Sequence, residues 1–334
     1  MGRHLTQLEL LIELEPVAAA NVDRHLSMTK DWHPHDYVPW DEGRNFAALG
    51  GVDWDPEQSR LSDVAKAAMI TNLLTEDNLP SYHRVIAENF SQDGAWGTWV
   101  GRWTAEENRH GIVMRDYLVV SRGVDPVELE NARMAAMTTG FDPLAVAERR
   151  EVDPDVVPNA GFLLGVAYVT FQELATRLSH RNTGRVCNDP IADKMLQRIA
   201  ADENLHRIFY RNMCGAALDL APDQALEAIT LTLMNFQMPG AENPNFRRYG
   251  ALMAKHGIYD MRQHLEDVIM PVLRIWKVFE RNDFTARGEQ SREQLAAFLA
   301  KYESDMLKFE ERRDRIAARQ AAKRDSAPLT TTVV

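Results

Sequence analysis

From Leu5 onward the apolar positions recur at three- and four-residue steps, and no useful length of chain alternates apolar with polar. That period belongs to helices and not to strands, so the pattern predicts an all-α chain. The clearest seam runs through Trp96, Trp99, Trp103, Glu107, His110, Met114 and Tyr117. Three more seams of the same kind follow from the spacing. One takes Leu61, Ala65, Met69, Asn72 and Glu76; another Phe162, Val166, Val169, Glu173, Thr176 and His180; the last Leu196, Ile199, Glu203, His206, Tyr210 and Met213. Together they predict a four-helix core.

Punctuation between the seams supplies the rest. Leu5 to Ala20 predicts a short packing helix interrupted by Pro16, and Trp32 to Trp54, with Pro34, Pro39 and Gly50-Gly51, an extended lead-in. Asp55-Pro56-Glu57 offers an N-cap and a first-turn proline for the first core helix. Pro80 falls four residues after Glu76 and removes a helical donor, which predicts a kink just beyond that glutamate. Asp125-Pro126 opens a helix that Gly140 closes, and the segment to Asn159, with Pro143, Pro154 and Pro158, reads as a long crossover. A break is expected at Asn182-Thr183-Gly184. Further helices are expected over 222–235, 262–280 and 288–324, the last amphipathic and solvated, with a disordered tail from Asp325 to Val334. A core bundle over about 56–215 and extra helices to 324 make one domain, 1–324.

The seams carry charges where a core wants none. Glu107-Asn108-Arg109-His110 and Glu203-Asn204-Leu205-His206 each place Glu and His three residues apart, on one helix face. Glu76 and Glu173 sit alone on the other two seams. Glu76 to Glu107 spans 31 residues and Glu173 to Glu203 spans 30, the length of a helix hairpin measured from middle to middle. Two hairpins, each giving one Glu and one Glu-x-x-His, make the ligand set of a carboxylate-bridged di-metal centre. A buried unpaired carboxylate costs several kcal/mol. Two divalent cations would cancel the charge of Glu76, Glu107, Glu173 and Glu203. Oxygen and imidazole donors without thiolate suit iron or manganese better than four-coordinate zinc. The bland alternative is a buried salt-bridge network through Arg109 and Arg177.

Composition narrows the setting. The chain has 334 residues, 45% of them apolar, with 7 Trp and 14 Met to fill long helices. Its net charge of −11 argues against a general nucleic-acid binder. The two cysteines, Cys187 and Cys214, exclude both a disulfide scaffold and a thiolate metal site. The first residues lack the basic-then-apolar pattern of a signal peptide, and the longest apolar run, Ala160 to Phe171, is too short to cross a bilayer. A cytoplasmic protein without a membrane span is expected. The remaining histidines, including His33 and His35 beside Pro34, read as ordinary solvated or core residues.

At the ligand residues the chain resembles the soluble acyl-acyl-carrier-protein desaturases, the stearoyl type of plastids and actinobacteria. The blocks are Thr75-Glu76-Asp77-Asn78-Leu79-Pro80, Trp103 to Gly111 (reading WTAEENRHG), Phe171-Gln172-Glu173-Leu174-Ala175-Thr176, Ser179-His180-Arg181-Asn182-Thr183 and Ala201-Asp202-Glu203-Asn204-Leu205-His206. The resemblance spans roughly 30–280. It implies a ferritin-like bundle, a di-iron cluster on Glu76, Glu107, His110, Glu173, Glu203 and His206, a homodimer, and electrons from ferredoxin. It implies that Asp202 orients His110, that Trp32 lies on the electron route, and that Thr176 lines an oxygen pocket. The chain departs from the plant pattern over Met238 to Arg248 and in its C-terminal third, and it lacks the plastid transit peptide.

The activity implied is O₂-dependent introduction of a cis double bond into a fatty acyl chain held on acyl carrier protein. The alternatives are another di-iron oxidation on the same bundle, such as hydroxylation or N-oxygenation, and a non-catalytic iron-binding bundle. An acyl tunnel is expected past the cluster, with the Gly161/Gly165 face as a candidate wall. Because the carrier is acidic, a positive docking patch is expected: Arg247-Arg248, or Arg274, Lys277 and Arg281, or the basic stretch 312–324.

Overall fold

In a computed structural model, which describes residues 4–142, 161–239 and 245–325, every regular element is helical. The helices are α1 Gln7–Met28, α2 Asp63–Asp77, α3 Leu79–Asn89, α4 Gly94–Val120, α5 Pro126–Thr139, α6 Gly161–Cys187, α7 Pro190–Leu220, α8 Pro222–Met234 and α9 Phe246–Lys255. Met261–Gln263, His264–Ile269 and Met270–Ile275 then run on as α10, with a π turn at His264–Ile269, and α11 is Ala286–Asp325. The crossover over Pro143 to Asn159 and the tail beyond Asp325 lie outside the described residues.

Four helices form the core bundle: α2 lies against α4 and α6, α4 against α7, and α6 packs along the length of α7. The predicted seams are the faces that meet. Trp96, Trp99, Trp103, Phe162, Phe171, Phe209 and Tyr210 are all buried in one apolar cluster. A second cluster, around Met69, Leu73, Met114, Tyr117, Leu196 and Ile199, fills the other end of the bundle. The carboxylates and imidazoles sit between the two. Outside the bundle, α1 covers α4 and α7, α8 covers α6 and α7, and α11 runs over α8.

The kink past Glu76 is present. α2 ends at Asp77 and α3 begins at Leu79, with Asn78 (φ −74°, ψ 0°) as the joint and Pro80 in the first turn of α3. Asp125 caps α5 through the Val127 and Glu128 amides, and Gly140 ends it at φ 68°.

Several boundaries differ from the sequence reading. α1 starts at Gln7 on the Thr6 and Glu9 capping box and runs through Pro16 to Met28, not to Ala20, because Leu10, Leu14, Ala18, Val22 and His25 keep one buried stripe going. Asp55 caps only a short 3₁₀ turn, Pro56–Gln58; the first core helix begins at Asp63, capped by Ser62. Asn182-Thr183-Gly184 does not break α6. Asn182 donates to the Ile258 carbonyl and Thr183 accepts from Asn72, so their side chains are spent across the fold and not on the local backbone. The break comes at Asn188, at φ 50°, before the Asp189 cap of α7. The helix expected over 262–280 stops at Ile275, and α9 was not foreseen.

Candidate metal centre

The structure brings all six sequence-predicted ligand residues together. Glu76, Glu107, His110 and Glu203 form one group and Glu107, Glu173, Glu203 and His206 another, with the donor atoms of each within 4.8 Å of one another. Glu107 and Glu203 belong to both groups. Glu76 with His110, and Glu173 with His206, close the two ends. All six are buried, none more than 3% exposed.

The inward atoms are left open. His110 Nδ1 lies 3.3 Å from Glu203 and 3.7 Å from Glu76, and His206 Nδ1 lies 2.7 Å from Glu107 and 3.5 Å from Glu173. These approaches are close in distance but misaligned for hydrogen bonding. Glu107 Oε1, Glu173 Oε2, Glu203 Oε1, His110 Nδ1 and His206 Nδ1 are buried without a hydrogen-bond partner. Five such atoms in one core would each cost about 1–3 kcal/mol if nothing met them. Their types, spacing and convergence fit a pair of divalent cations. The salt-bridge alternative does not account for them, because Arg109 reaches Asp202 and Glu106 but none of the four inner glutamates, and Arg177 forms no ion pair.

Proton affinities show the same strain. Burial and the neighbouring Glu203 push the Glu107 carboxyl up to about 8, and burial with Glu203 and Glu107 raises Glu173 well above the ordinary carboxylate range. Burial alone would lower His110 and His206, but the surrounding carboxylates outweigh it and raise both well above the usual histidine value. Burial would raise Glu76, yet His110 and His180 hold it far below that range. Protons stand here where cations would remove them.

Five of the six candidate ligands, all but Glu107, are held from outside. His110 Nε2 faces Asp202 Oδ2 at 3.4 Å, and that oxygen also accepts from Trp32 Nε1 and Arg109 Nη2, both at 2.7 Å; Arg198 binds the other Asp202 oxygen. His206 Nε2 donates to Glu106 Oε2 at 2.8 Å, which His25 Nε2 also meets at 2.9 Å, while Arg102 holds Oε1 at 2.6 Å. With Nε2 committed outward, each Nδ1 faces inward, where a cation would displace its proton. His180 Nε2 meets Glu76 at 2.8 Å, Trp103 Nε1 donates to Glu173 at 2.9 Å, and Thr176 Oγ1 donates to Glu203 at 3.0 Å. His25, Glu106 and His206 also cluster closely enough for an ion. Their ordinary hydrogen-bond distances make one unnecessary.

Glu106, His25, His180 and Trp103 are therefore parts of the site that the sequence reading passed over. The sequence alone reads His25 and His180 as ordinary. A signal for Glu106 was present: each ligand glutamate is preceded by an acid, Glu106-Glu107 and Asp202-Glu203, so the reasoning applied to Asp202 extends to it. His25 had no such signal, since it comes from a helix that the spacing had ended at Ala20.

Thr176 also lines a cavity of about 80 Å³ between α2, α6 and α9, with Thr71, Thr75, Ala175, Met238 and Met253 among its walls. The Gly161/Gly165 face receives α3 instead. A Cβ at Gly161 would stand 1.9 Å from Asn89 Oδ1, and one at Gly165 3.1 Å from Ile86 Cδ1. On the far side of α2 a larger hollow of about 720 Å³ opens among Leu74, Leu129, Ala136, Phe141 and Tyr249.

Residues 6–327 match the model of the fatty acid desaturase family. The chain belongs to that family. It is similar to DesA1 of Mycobacterium tuberculosis, named as an acyl-acyl-carrier-protein desaturase, with 54% identity over 96% of this chain and 93% of that protein. It is 28% identical to the chloroplastic stearoyl-acyl-carrier-protein 9-desaturase 1 of Arabidopsis thaliana, over 92% of this chain and 77% of the plant protein. In three dimensions it resembles the X-ray structure of the M. tuberculosis acyl-carrier desaturase DesA2 (TM-score 0.66, 32% identity), covering 86% of this chain and 98% of that one. The all-helical fold is thus the desaturase fold, and among the described residues no helix is long and apolar enough to cross a membrane.

Proposed function

We propose that the chain is an acyl-acyl-carrier-protein desaturase, using O₂ and two iron ions to place a cis double bond in a carrier-bound fatty acyl chain. The observation that carries this reading is the pair of facing ligand groups sharing Glu107 and Glu203, in a chain of the desaturase family. Glu76, Glu107 and His110 would hold one iron with Glu203; Glu173 and His206, with the same two glutamates, would hold the other. When bound, the iron pair supplies with O₂ an oxidant able to take hydrogen from unactivated methylenes, which no side chain can do.

The protein's own residues position and shield. Asp202 and Glu106 fix the ring orientation of His110 and His206 through Nε2, so that both Nδ1 atoms face the centre. His180, Trp103 and Thr176 each hold one carboxylate oxygen, which leaves the second oxygen directed inward. Trp96, Trp99, Phe162 and Phe209 exclude water from one end of the bundle. The cavity beside Thr176, floored by Met238, Phe246 and Met253 of the segment leading into and through α9, is the space we assign to the acyl chain near the centre. The reading also takes in a homodimer in the cytoplasm and a ferredoxin-type donor, as the family resemblance implies.

The test is anaerobic reduction of the iron-reconstituted protein, then oxygen with a panel of acyl-carrier substrates, reading metal content and product mass together. Two irons per chain and a product lighter by two hydrogens are expected. A product heavier by one oxygen would make the protein a hydroxylase. Failure to bind metal would remove the six residues from the argument.

A further inference from the structure

The hollow of about 720 Å³ lies apart from the metal centre, between α2 and α5. These two helices run side by side in the same direction. A Cβ at Gly123 would stand 3.0 Å from Leu61 Cδ1, and one at Gly140 3.1 Å from Ser81 Oγ. Ile70, Leu74 and Asn78 face the hollow at four-residue steps along α2. α5 faces it from its Asp125 cap to Thr139, a length of roughly 20 Å. Leu129, Ala132 and Ala136 keep that wall low and apolar, which makes the space a trough. Ligand sites commonly enclose about 300–1,000 Å³, a range that takes in the trough but not the cavity of about 80 Å³ beside Thr176. One layer of α2 separates the two: Thr71 and Thr75 line the cavity, Ile70 and Leu74 the trough.

One polar atom of the trough is unmet. Asn78, only 1% exposed, spends its Nδ2 on the Leu74 carbonyl at 3.1 Å, and its Oδ1 is buried without a hydrogen-bond partner. A buried carbonyl oxygen of this kind costs stability until a donor meets it. Charge then selects among donors. Among the described residues lining the trough there is no Lys, Arg or His, and Arg133 of α5 is held by Asp77 and Glu130. A carboxylate or phosphate head would find no counter-charge. The acids Asp125 and Glu128 stand at the start of α5, away from Asn78, and Glu128 is exposed, so an ammonium head would gain little from it across water. An uncharged donor suits Asn78 best.

We infer that the trough is a second ligand site, for a long-chain amphiphile whose uncharged head, a primary alcohol or amide, donates a hydrogen bond. The head meets Asn78 Oδ1, and the chain lies along Leu74, Leu129 and Ala136. The site is separate from the cavity beside Thr176 and does not rest on the desaturase reading. Asn78 is also the joint between α2 and α3, two residues beyond Glu76, so the occupant bears on the segment that carries a candidate metal ligand.

The experiment is calorimetric titration of the iron-loaded full-length protein with 1-decanol and decanamide as probes. Decyl methyl ether, decanoate and decylamine serve as comparators with the same chain and a head that cannot donate, a negative head and a positive one. Both donors should bind at one site per chain, about tenfold more tightly than the ether, with decanoate the weakest. Ala135→Trp, at an exposed position lining the trough, should abolish decanol binding. Asn78→Leu should erase the preference for decanol over the ether; if that change disturbs the joint, Ala135→Trp and the ether comparison decide. Gly250→Phe, where an added Cβ meets nothing within 4 Å, narrows the cavity beside Thr176 and should leave decanol binding unchanged. No decanol binding to the unaltered protein, or equal binding of the ether, overturns the proposal. Loss on Gly250→Phe with retention on Ala135→Trp would put the probe in the other cavity, and tighter binding of decylamine would give recognition to the acids; either result overturns it as well.

Discussion

The two ends of the centre come from nearly the same five letters, Glu106-Glu107-Asn108-Arg109-His110 and Asp202-Glu203-Asn204-Leu205-His206, and are built differently. At the His110 end the outer carboxylate, Asp202, is saturated by Trp32, Arg109 and Arg198. At the His206 end Glu106 is held by His25 and by Arg102, whose side chain is 34% exposed. The difference traces to the fourth letter. Arg109 reaches Asp202 at 2.7 Å, approaches Glu106 at 3.7 Å and lies over the Trp32 ring at 4.6 Å; Leu205 does none of this. A repeated motif fixes the ligands, while its variable position decides what each ligand is tied to.

The comparison breaks most completely at the residues both ends share. Glu107→Ala or Glu203→Ala removes a carboxylate that both groups share, so the two ends should fail together. Bound metal should fall from two ions per chain toward none, and turnover by on the order of a thousandfold or more. Elemental analysis checks this; retention of one full-strength ion would mean that the groups are independent.

The outer carboxylates separate the ends. Asp202→Asn and Glu106→Gln should each weaken metal binding by about 10–100-fold. Their costs in stability should differ. Asp202→Asn strands Arg109 and Arg198 at side-chain exposures of 17% and 14%, whereas Glu106→Gln strands the more solvated Arg102. The first should cost about 3–5 kcal/mol and the second nearer 1–2 kcal/mol, as read by denaturant midpoints of the metal-free proteins. Equal losses would remove the asymmetry drawn here.

Much of this is legible in the sequence. The seams gave the four helices because a face of Trp, Met and Leu at helical spacing has nowhere to go but inward, and the acids on those faces had to meet something. What stayed hidden depended on contacts between distant segments. His25 belongs to α1, whose length was cut short at Ala20 because Pro16 was weighed above the buried stripe continuing past it. His180 lies on the third seam, and its meaning appears only where α6 sets it against Glu76 of α2. The false break at Asn182-Thr183-Gly184 failed for the same reason: composition suggested a turn, while the side chains find partners on α2 and at Ile258 and the helix runs on unbroken.

The protons at the two ends give a further test. In the metal-free folded protein Glu107 holds its proton up to about pH 8, and Glu173 beyond its ordinary range, whereas both would ionise near 4.5 in the unfolded chain. His110 and His206, raised above 6.5, also keep protons that the unfolded chain loses. Between about pH 5 and 8 the folded state therefore binds more protons, and metal-free stability should fall as pH rises. Cations displace those protons, so metal binding should strengthen over the same window. Melting temperatures at pH 6, 7 and 8, with and without metal, should diverge as pH rises, by several degrees in all. Convergence would contradict the proton assignments at both ends.

The mildest change acts on the fourth letter itself. Arg109→Leu makes the first motif resemble the second, leaving every metal ligand and both outer carboxylates in place. Asp202 keeps Trp32 and Arg198, so its charge remains partnered. What is lost is the Arg109 Nη2 link to Asp202, with its longer approach to Glu106, and the guanidinium's contact with the Trp32 ring, which is itself nearly parallel to His110 at 6.2 Å. Stability should drop by about 1–2 kcal/mol, with metal stoichiometry unchanged. The effect should fall on the His110 end alone, so that spectra of the loaded protein resolve one perturbed and one unperturbed iron. If both irons shift equally, Arg109 ties the ends into one unit, and the asymmetry belongs to the sequence but not to the centre.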